Sequence, residues 1–151
     1  WLAWRHALDF LKVSEGGLPD AMLSVPATAP LRRQVDLENC LDEYEKGDVD
    51  VVITVTEAHR SPYFNMVKEN TDGTVGLVIP LQTSIARRQD SPAVFDMATV
   101  AYVVRPEFVF SNTSTFEGRV RAVQIPSKRA IDIDTLLDFQ IAEYLLGVGE
   151  D

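Results

Sequence analysis

Residues 49–56, VDVVITVT, place β-branched side chains on consecutive positions from Val51 to Thr56. A run of this kind reads as a strand buried on both faces, and a strand without a wet side needs helices above and below it. Such helices are written on its amino-terminal side. WLAWRHALDFLK repeats apolar residues at Trp1, Trp4, Ala7, Leu8 and Leu11, and Leu37, Cys40, Leu41 and Tyr44 mark a second apolar stripe, closed by Gly47. The two tryptophans read as core. Between these helices EGGLPD breaks the first, AMLSV is a short apolar run suited to a buried strand, and PATAPLRR is a loop stiffened by Pro26 and Pro30.

Strands that alternate with helices predict parallel β-α-β units, whose binding sites lie beyond the carboxyl ends of the strands. Two loops matter on that rule, PATAPLRR and TEAHRSPYFN. Further along, YFNMVK and TVGLVI flank ENTDG, whose Asp72-Gly73 pair predicts a hairpin turn. PLQTSIARRQDSP is polar, cationic and weakly periodic, an extended arm or mobile loop. AVFDMATVAYVV and RVRAVQIP supply two more strands ahead of a final helix. No internal repeat or low-complexity tract interrupts the chain, which at 151 residues suits one domain.

Composition narrows the chemistry. With 46% hydrophobic and 25% charged residues the chain is that of a soluble globular protein, and a formal charge of −9 argues against nucleic acid or an anionic membrane as partner. Any phosphate must be met locally, by a few cations or a metal. No apolar run approaches the roughly 18 residues of a membrane span, and no basic-then-apolar leader is present. The single cysteine, Cys40, excludes an internal disulfide and a multi-cysteine zinc site, fits a reducing cytoplasm, and lies on an apolar helix face where packing outweighs nucleophilic chemistry. The chain starts at Trp1 rather than methionine, which leads us to expect a fragment of a longer reading frame. Serine-hydrolase, zinc-protease and P-loop signatures are absent. Of the two histidines, His6 reads as structural and His59, beside Arg60, as part of a solvated loop.

The chemistry-bearing stretch is SKRAIDIDTLLDFQIAEYLL, residues 127–146. Read as a strand running into a helix, it puts Asp132 and Asp134 on one face and Ile131 and Ile133 on the other. Like charges so placed want a cation. A plainer reading is that Asp134 or Thr135 caps the helix, with Thr135 to Asp138 matching a capping box. That accounts for one acid but not for Asp132. Two converging carboxylates also suit Mg²⁺ held against phosphates. Arg87 and Arg88 offer planar forks for carboxylate or phosphate, against the alternative of a solvated surface pair.

VTEAHRSPYFNMVK, RRQDSPAVF and AIDIDTLLDFQIAEYLL, following PATAPLR in that order, resemble the N-acylneuraminate cytidylyltransferase family, the CMP-sialic acid synthetases. The resemblance covers most of the chain. It implies an α/β, Rossmann-like nucleotidyltransferase fold of the nucleotide-diphospho-sugar transferase type, with the amino-terminal CTP-binding part missing and an arm of about 61–92 used for dimerisation. It also implies a cytoplasmic homodimer that joins CTP to a nonulosonic acid with Mg²⁺ or Mn²⁺ as cofactor. Asp132 and Asp134 become metal ligands, Arg88 a catalytic contact, and Thr28, Ala29, Arg32, Gln89 and Tyr102 substrate contacts. Three departures stand out. The family's Gly- and Lys-containing loop has no counterpart, so poor nucleotide binding and an inactive fragment are expected. Pro26 replaces the glutamine of Q-P-T-S-P-L-R, and Ala98 and Thr99 replace asparagine and glycine, which leaves the acceptor acid open. The alternatives are a transferase for the eight-carbon acid of lipopolysaccharide and a non-catalytic dimerisation or binding module. An unpaired sheet edge left by a missing first strand also points to self-association.

Overall fold

A computed structural model describes residues 1–81 and 87–148. Along the chain it forms α1 (Leu2–Ser14), β1 (Met22–Ser24), α2 (Gln34–Glu45), β2 (Val51–Glu57), β3 (Val67–Glu69), β4 (Val75–Leu77), β5 (Phe95–Val104), α3 (Pro106–Ser111), β6 (Val120–Gln124) and α4 (Leu136–Gly147). Two compact units result, one of Trp1–Thr56 with Met97–Asp151, the other of Glu57–Asp96.

In the first unit the sheet order is β1-β5-β2-β6. Val51 to Val55 of β2 pair in parallel with Val120 to Gln124 of β6, as the β-α-β reading expects. By contrast, β1 runs antiparallel to β5, with Met22 opposite Val104 and Ser24 opposite Tyr102. The sheet is therefore mixed. The chain reaches β5 after the β3–β4 hairpin rather than after a further β-α unit. The expectation that AMLSV is a buried strand is also corrected: β1 is three residues long, half-buried throughout, and ends the row of described strands.

The VDVVITVT run behaves as its sequence dictates. Val51, Ile53 and Val55 pack on one face with Leu8, Val104, Phe108 and Val109. Val52 turns the other way, onto Cys40, Val49, Ala101 and Val103, with Leu37, Leu41 and Tyr44 of α2 closing over them. Thr54 is fully buried, and its hydroxyl is a key set into β5: it donates to the Ala98 carbonyl at 2.6 Å and accepts from the Val100 and Ala101 amides at 3.3 Å.

Arg-Pro-Glu-Phe, passed over by the periodicity argument, opens α3, with Pro106 in its first turn where a missing N–H costs nothing. The carbonyl end of α3 is closed by α1. Trp1 Nε1 donates to Asn112 O at 2.7 Å, and Arg5 donates to Val109 O at 2.9 Å and to Asn112 O at 2.6 Å. Those bonds satisfy carbonyls a helix cannot satisfy itself and bring a cation to its negative end. The tryptophans thus serve packing, as expected. At Gly118 the constraint is close approach, since a Cβ there would collide with Phe108 Cε2 and lie 2.7 Å from the buried Asp50 Oδ2. Asp50 in turn accepts from the Arg119 amide at 2.7 Å and pairs with Arg105.

The second unit holds the β3–β4 hairpin, with Val67 opposite Leu77 and Glu69 opposite Val75. Its turn is the expected one. Gly73 takes φ +80°, and Asp72 accepts from Thr74 Oγ1 at 2.6 Å and Thr74 N at 3.0 Å, bonds that hold its carboxyl below the usual range. Of the stretch expected to form an arm, residues 82–86 lie outside the described residues, and Arg88–Asp90 form one 3-10 turn.

Burial fixes the character of Cys40. Desolvation first, and then the charge of Asp36, pushes its thiol from 9.0 to about 11. The folded chain therefore resists ionisation that the unfolded chain accepts. This stabilisation is complete below pH 9 and is lost as pH climbs towards 11, a change of roughly 2 kcal/mol. Urea unfolding at pH 8 and pH 10.5 should show a steeper loss for the native protein than for Cys40→Ala; equal slopes would contradict the assignment.

Candidate functional site

The loop after β1 is shaped by its own arginine. Arg32 Nη1 donates to Pro26 O at 2.7 Å and Ala29 O at 2.6 Å, which closes the proline-stiffened segment into a tight turn. Ala29, expected among the substrate contacts, is 1% exposed and packs with Ala98, Val100 and Ile125, so its side chain braces the loop rather than facing a ligand. Thr28 is exposed.

The acid-bearing stretch departs from the expected strand. Pairing with β2 persists to Ile125, whose amide donates to Val55 O at 2.7 Å. Pro126 then brings a 3-10 turn, Ser127–Arg129, with Arg129 N donating to Pro126 O at 2.8 Å. That turn carries the chain off the sheet. Asp132 and Asp134 consequently sit on irregular backbone and share no strand face. One bond fixes the segment to the earlier loop: Ile133 N donates to Thr28 O at 2.9 Å. The fold thus brings residues 28–32 and 131–134 together.

Capping of α4 is done without either acid. Asp138 Oδ2 accepts from Thr135 N at 2.8 Å and Thr135 Oγ1 at 2.7 Å, while the Asp138 amide donates back to Thr135 Oγ1 at 3.3 Å. Hydrogen bonds from Thr135 hold the Asp138 carboxyl below its ordinary range. Asp134 contributes only its amide, at 3.3 Å from Asp138 Oδ2. Its exposed carboxylate is left for another partner. Asp132 is half-buried, and its Oδ1 is shielded from solvent with no hydrogen-bond partner among the described residues.

Tyr102 on β5 belongs to the same neighbourhood. Its ring lies 5.5 Å from that of Trp4, whose Nε1 donates to Ser24 Oγ at 3.0 Å. Burial raises the Tyr102 hydroxyl pKa, and the negative charge of Asp132 raises it further, so the field of that carboxylate reaches β5. Gln89 is exposed in the Arg88–Asp90 turn of the second unit, and the side chain of Arg88 lies outside the described residues. His6 and His59 are both exposed.

One residue escaped the sequence reading. Asp36, 1% exposed, accepts from the Arg33 amide at 2.9 Å and takes a two-pronged grip from Arg129, Nη2 to Oδ1 at 2.8 Å and Nε to Oδ2 at 3.0 Å. That bond raises the basicity of Arg129. The available signal was an aspartate in the first turn of a helix, where acids are favoured.

Among the described residues no group of three or more His, Cys, Asp or Glu side chains is placed to hold a metal. Mg²⁺ is commonly held by one or two carboxylates while waters and substrate phosphates complete its shell, and the orphaned Asp132 oxygen is a donor of that chemical kind. No described helix is long and apolar enough to cross a membrane.

Sequence comparison finds relatives over most of the chain. Post-translational flagellin modification protein B of Campylobacter coli is 32% identical over 127 residues, 84% of this chain and 53% of that protein. CMP-N,N'-diacetyllegionaminic acid synthase of Campylobacter jejuni is 28% identical across 85% of this chain and 54% of its own length. N-acylneuraminate cytidylyltransferase of Streptococcus agalactiae is 25% identical across 87% of this chain and 31% of its own. The chain thus spans about half the length of the first two. No family model matches. Among solved structures, 4-diphosphocytidyl-2C-methyl-D-erythritol synthase of Anaerococcus prevotii superposes with TM-score 0.63 at 14% identity, over 93% of this chain and 64% of that one. CMP:2-keto-3-deoxy-manno-octonic acid synthetase, complexed with CTP, gives 0.62 at 12% identity, over 96% and 68%. The fold is that of these nucleotidyltransferases.

Removing the Asp36 carboxylate would take from the half-buried Arg129 its buried partner and remove a helix-end acceptor at the same time. Asp36→Ala should lower the unfolding free energy by about 2–3 kcal/mol. A loss below about 1 kcal/mol in denaturant titration would show that the pair does not hold the loops.

Proposed function

We propose that the chain, whose relatives include N-acylneuraminate and legionaminate cytidylyltransferases, serves in the activation of a sialic or related nonulosonic acid with CTP. In that reaction the anomeric hydroxyl of the acid loses its proton and bonds to the α-phosphorus, and the bond to the β-phosphate breaks to release pyrophosphate. Family names among the relatives support the reaction class. The observation that carries the site assignment is the Asp132 oxygen, sheltered and unpartnered beside the loop that carries Thr28. A native fold rarely leaves such an atom without a use.

Asp132 and Asp134 would hold a divalent ion, Mg²⁺ or Mn²⁺, which when bound supplies charge neutralisation at the phosphates. The exposed Thr28 hydroxyl and the Tyr102 hydroxyl would bond the acceptor acid. Arg32 acts through the loop it folds, keeping Thr28 in position. Arg88 and Gln89 are assigned to substrate or leaving-group contact. A nine-carbon acceptor is favoured over the eight-carbon acid because the relatives named for their sugar, at 25–28% identity, are legionaminate and neuraminate enzymes. The octonic acid enzyme, at 12% identity, supports only the fold.

Calorimetric titration of the 151-residue chain with N-acetylneuraminate, a diacetyllegionaminate and the eight-carbon acid, with and without Mg²⁺, tests this reading, with pyrophosphate release from CTP followed alongside. Binding of a nine-carbon acid that strengthens with the metal is expected. Asp132→Asn and Asp134→Asn should each remove the metal effect while leaving the unfolding midpoint unchanged or slightly raised, since neither carboxylate caps α4. Indifference to every acid, or a metal effect that survives both substitutions, overturns it.

A further inference from the structure

Four of the chain's 14 basic side chains, Arg32, Arg33, Lys128 and Arg129, line a single concavity of about 660 Å³. They come from two segments far apart in sequence, the end of the loop after β1 and the 3-10 turn after β6. Among the described residues, no acidic side chain lines this space. Asp36 stands behind it, almost fully buried, and offsets one charge through Arg129. Arg32 is held by two carbonyl oxygens, which orient its guanidinium without cancelling its charge. Lys128 is exposed on the turn. A strongly positive hollow in a protein of net charge −9 is a local field opposed to the global one.

The volume falls within the range of small-molecule sites. A long polyanion would meet repulsion from the rest of the surface, whereas a compact one would meet only the hollow. Planar guanidinium forks beside a flexible ammonium suit the oxygens of linked phosphates. Leu145, Leu146 and Val148 at the end of α4 line the same space and offer apolar surface able to take an uncharged body. We infer that this concavity binds a small oligophosphate anion, either free pyrophosphate or the phosphate chain of a nucleotide. It is lined by none of the acids assigned to the metal, and such binding does not depend on the transfer reaction.

Binding is therefore measured without any divalent cation, in EDTA, which leaves the acid pair no part in the signal. Isothermal titration with pyrophosphate, tripolyphosphate and CTP should give saturable binding that weakens as salt rises. Lys128→Gln should weaken it about tenfold, and Lys128→Glu should abolish it. Lys68→Glu, an equal change of charge on β3 of the second unit, should leave it intact. Leu146→Asn separates the sources: a loss confined to CTP supports a nucleotide, and an unchanged affinity for all three anions supports free pyrophosphate. No saturation with any of the three, or an equal loss from Lys68→Glu and Lys128→Glu, overturns the inference.

Discussion

The bidentate pair between Asp36 and Arg129 is the constraint on which the site depends. It joins residues 93 positions apart, and Asp36 also accepts the Arg33 amide, so one carboxylate ties the loop after β1 to the turn after β6. Burying that charge is tolerable only while its oxygens are fully engaged. The acid-bearing segment that follows is then pinned at three points, by Arg129, by the Ile133–Thr28 bond and by the Thr135 cap. Irregular backbone held in this way gains the definition that a strand would otherwise provide.

What the sequence disclosed was local. The β-branched run of β2, the apolar face around Cys40, the Asp72-Gly73 turn and the Thr135–Asp138 box each depend on neighbours a few positions away, and each took its expected form. The failures were of another kind. Alternation of Ile and Asp at 131–134 has the period of a strand, but Pro126 and the turn behind it had already led the chain off the sheet. The direction of β5 depends on how the second unit returns the chain, which no window of residues records. Asp36 and Arg129 each look ordinary alone. Only the fold shows them as partners.

Support for the proposed function comes from the relatives, and the solved structures bear on the fold alone. Relatives at 25–28% identity carry the chemistry in their names, while solved structures at 12–14% identity share the architecture. Local geometry adds what neither can supply. The cap of α4 is complete without the carboxylates of Asp132 and Asp134, and a motif whose structural duty is met by other residues is available for a ligand.

Thr54 carries a last implication. Its hydroxyl fits one place on β5, between the Ala98 carbonyl and the Val100 and Ala101 amides. Slipping β5 by a single residue would set that oxygen against the wrong backbone groups and turn the apolar side chains of the strand to the opposite face. One buried hydroxyl therefore acts as a registration mark for the centre of the sheet, rejecting near-miss alignments that apolar packing by itself would distinguish less sharply.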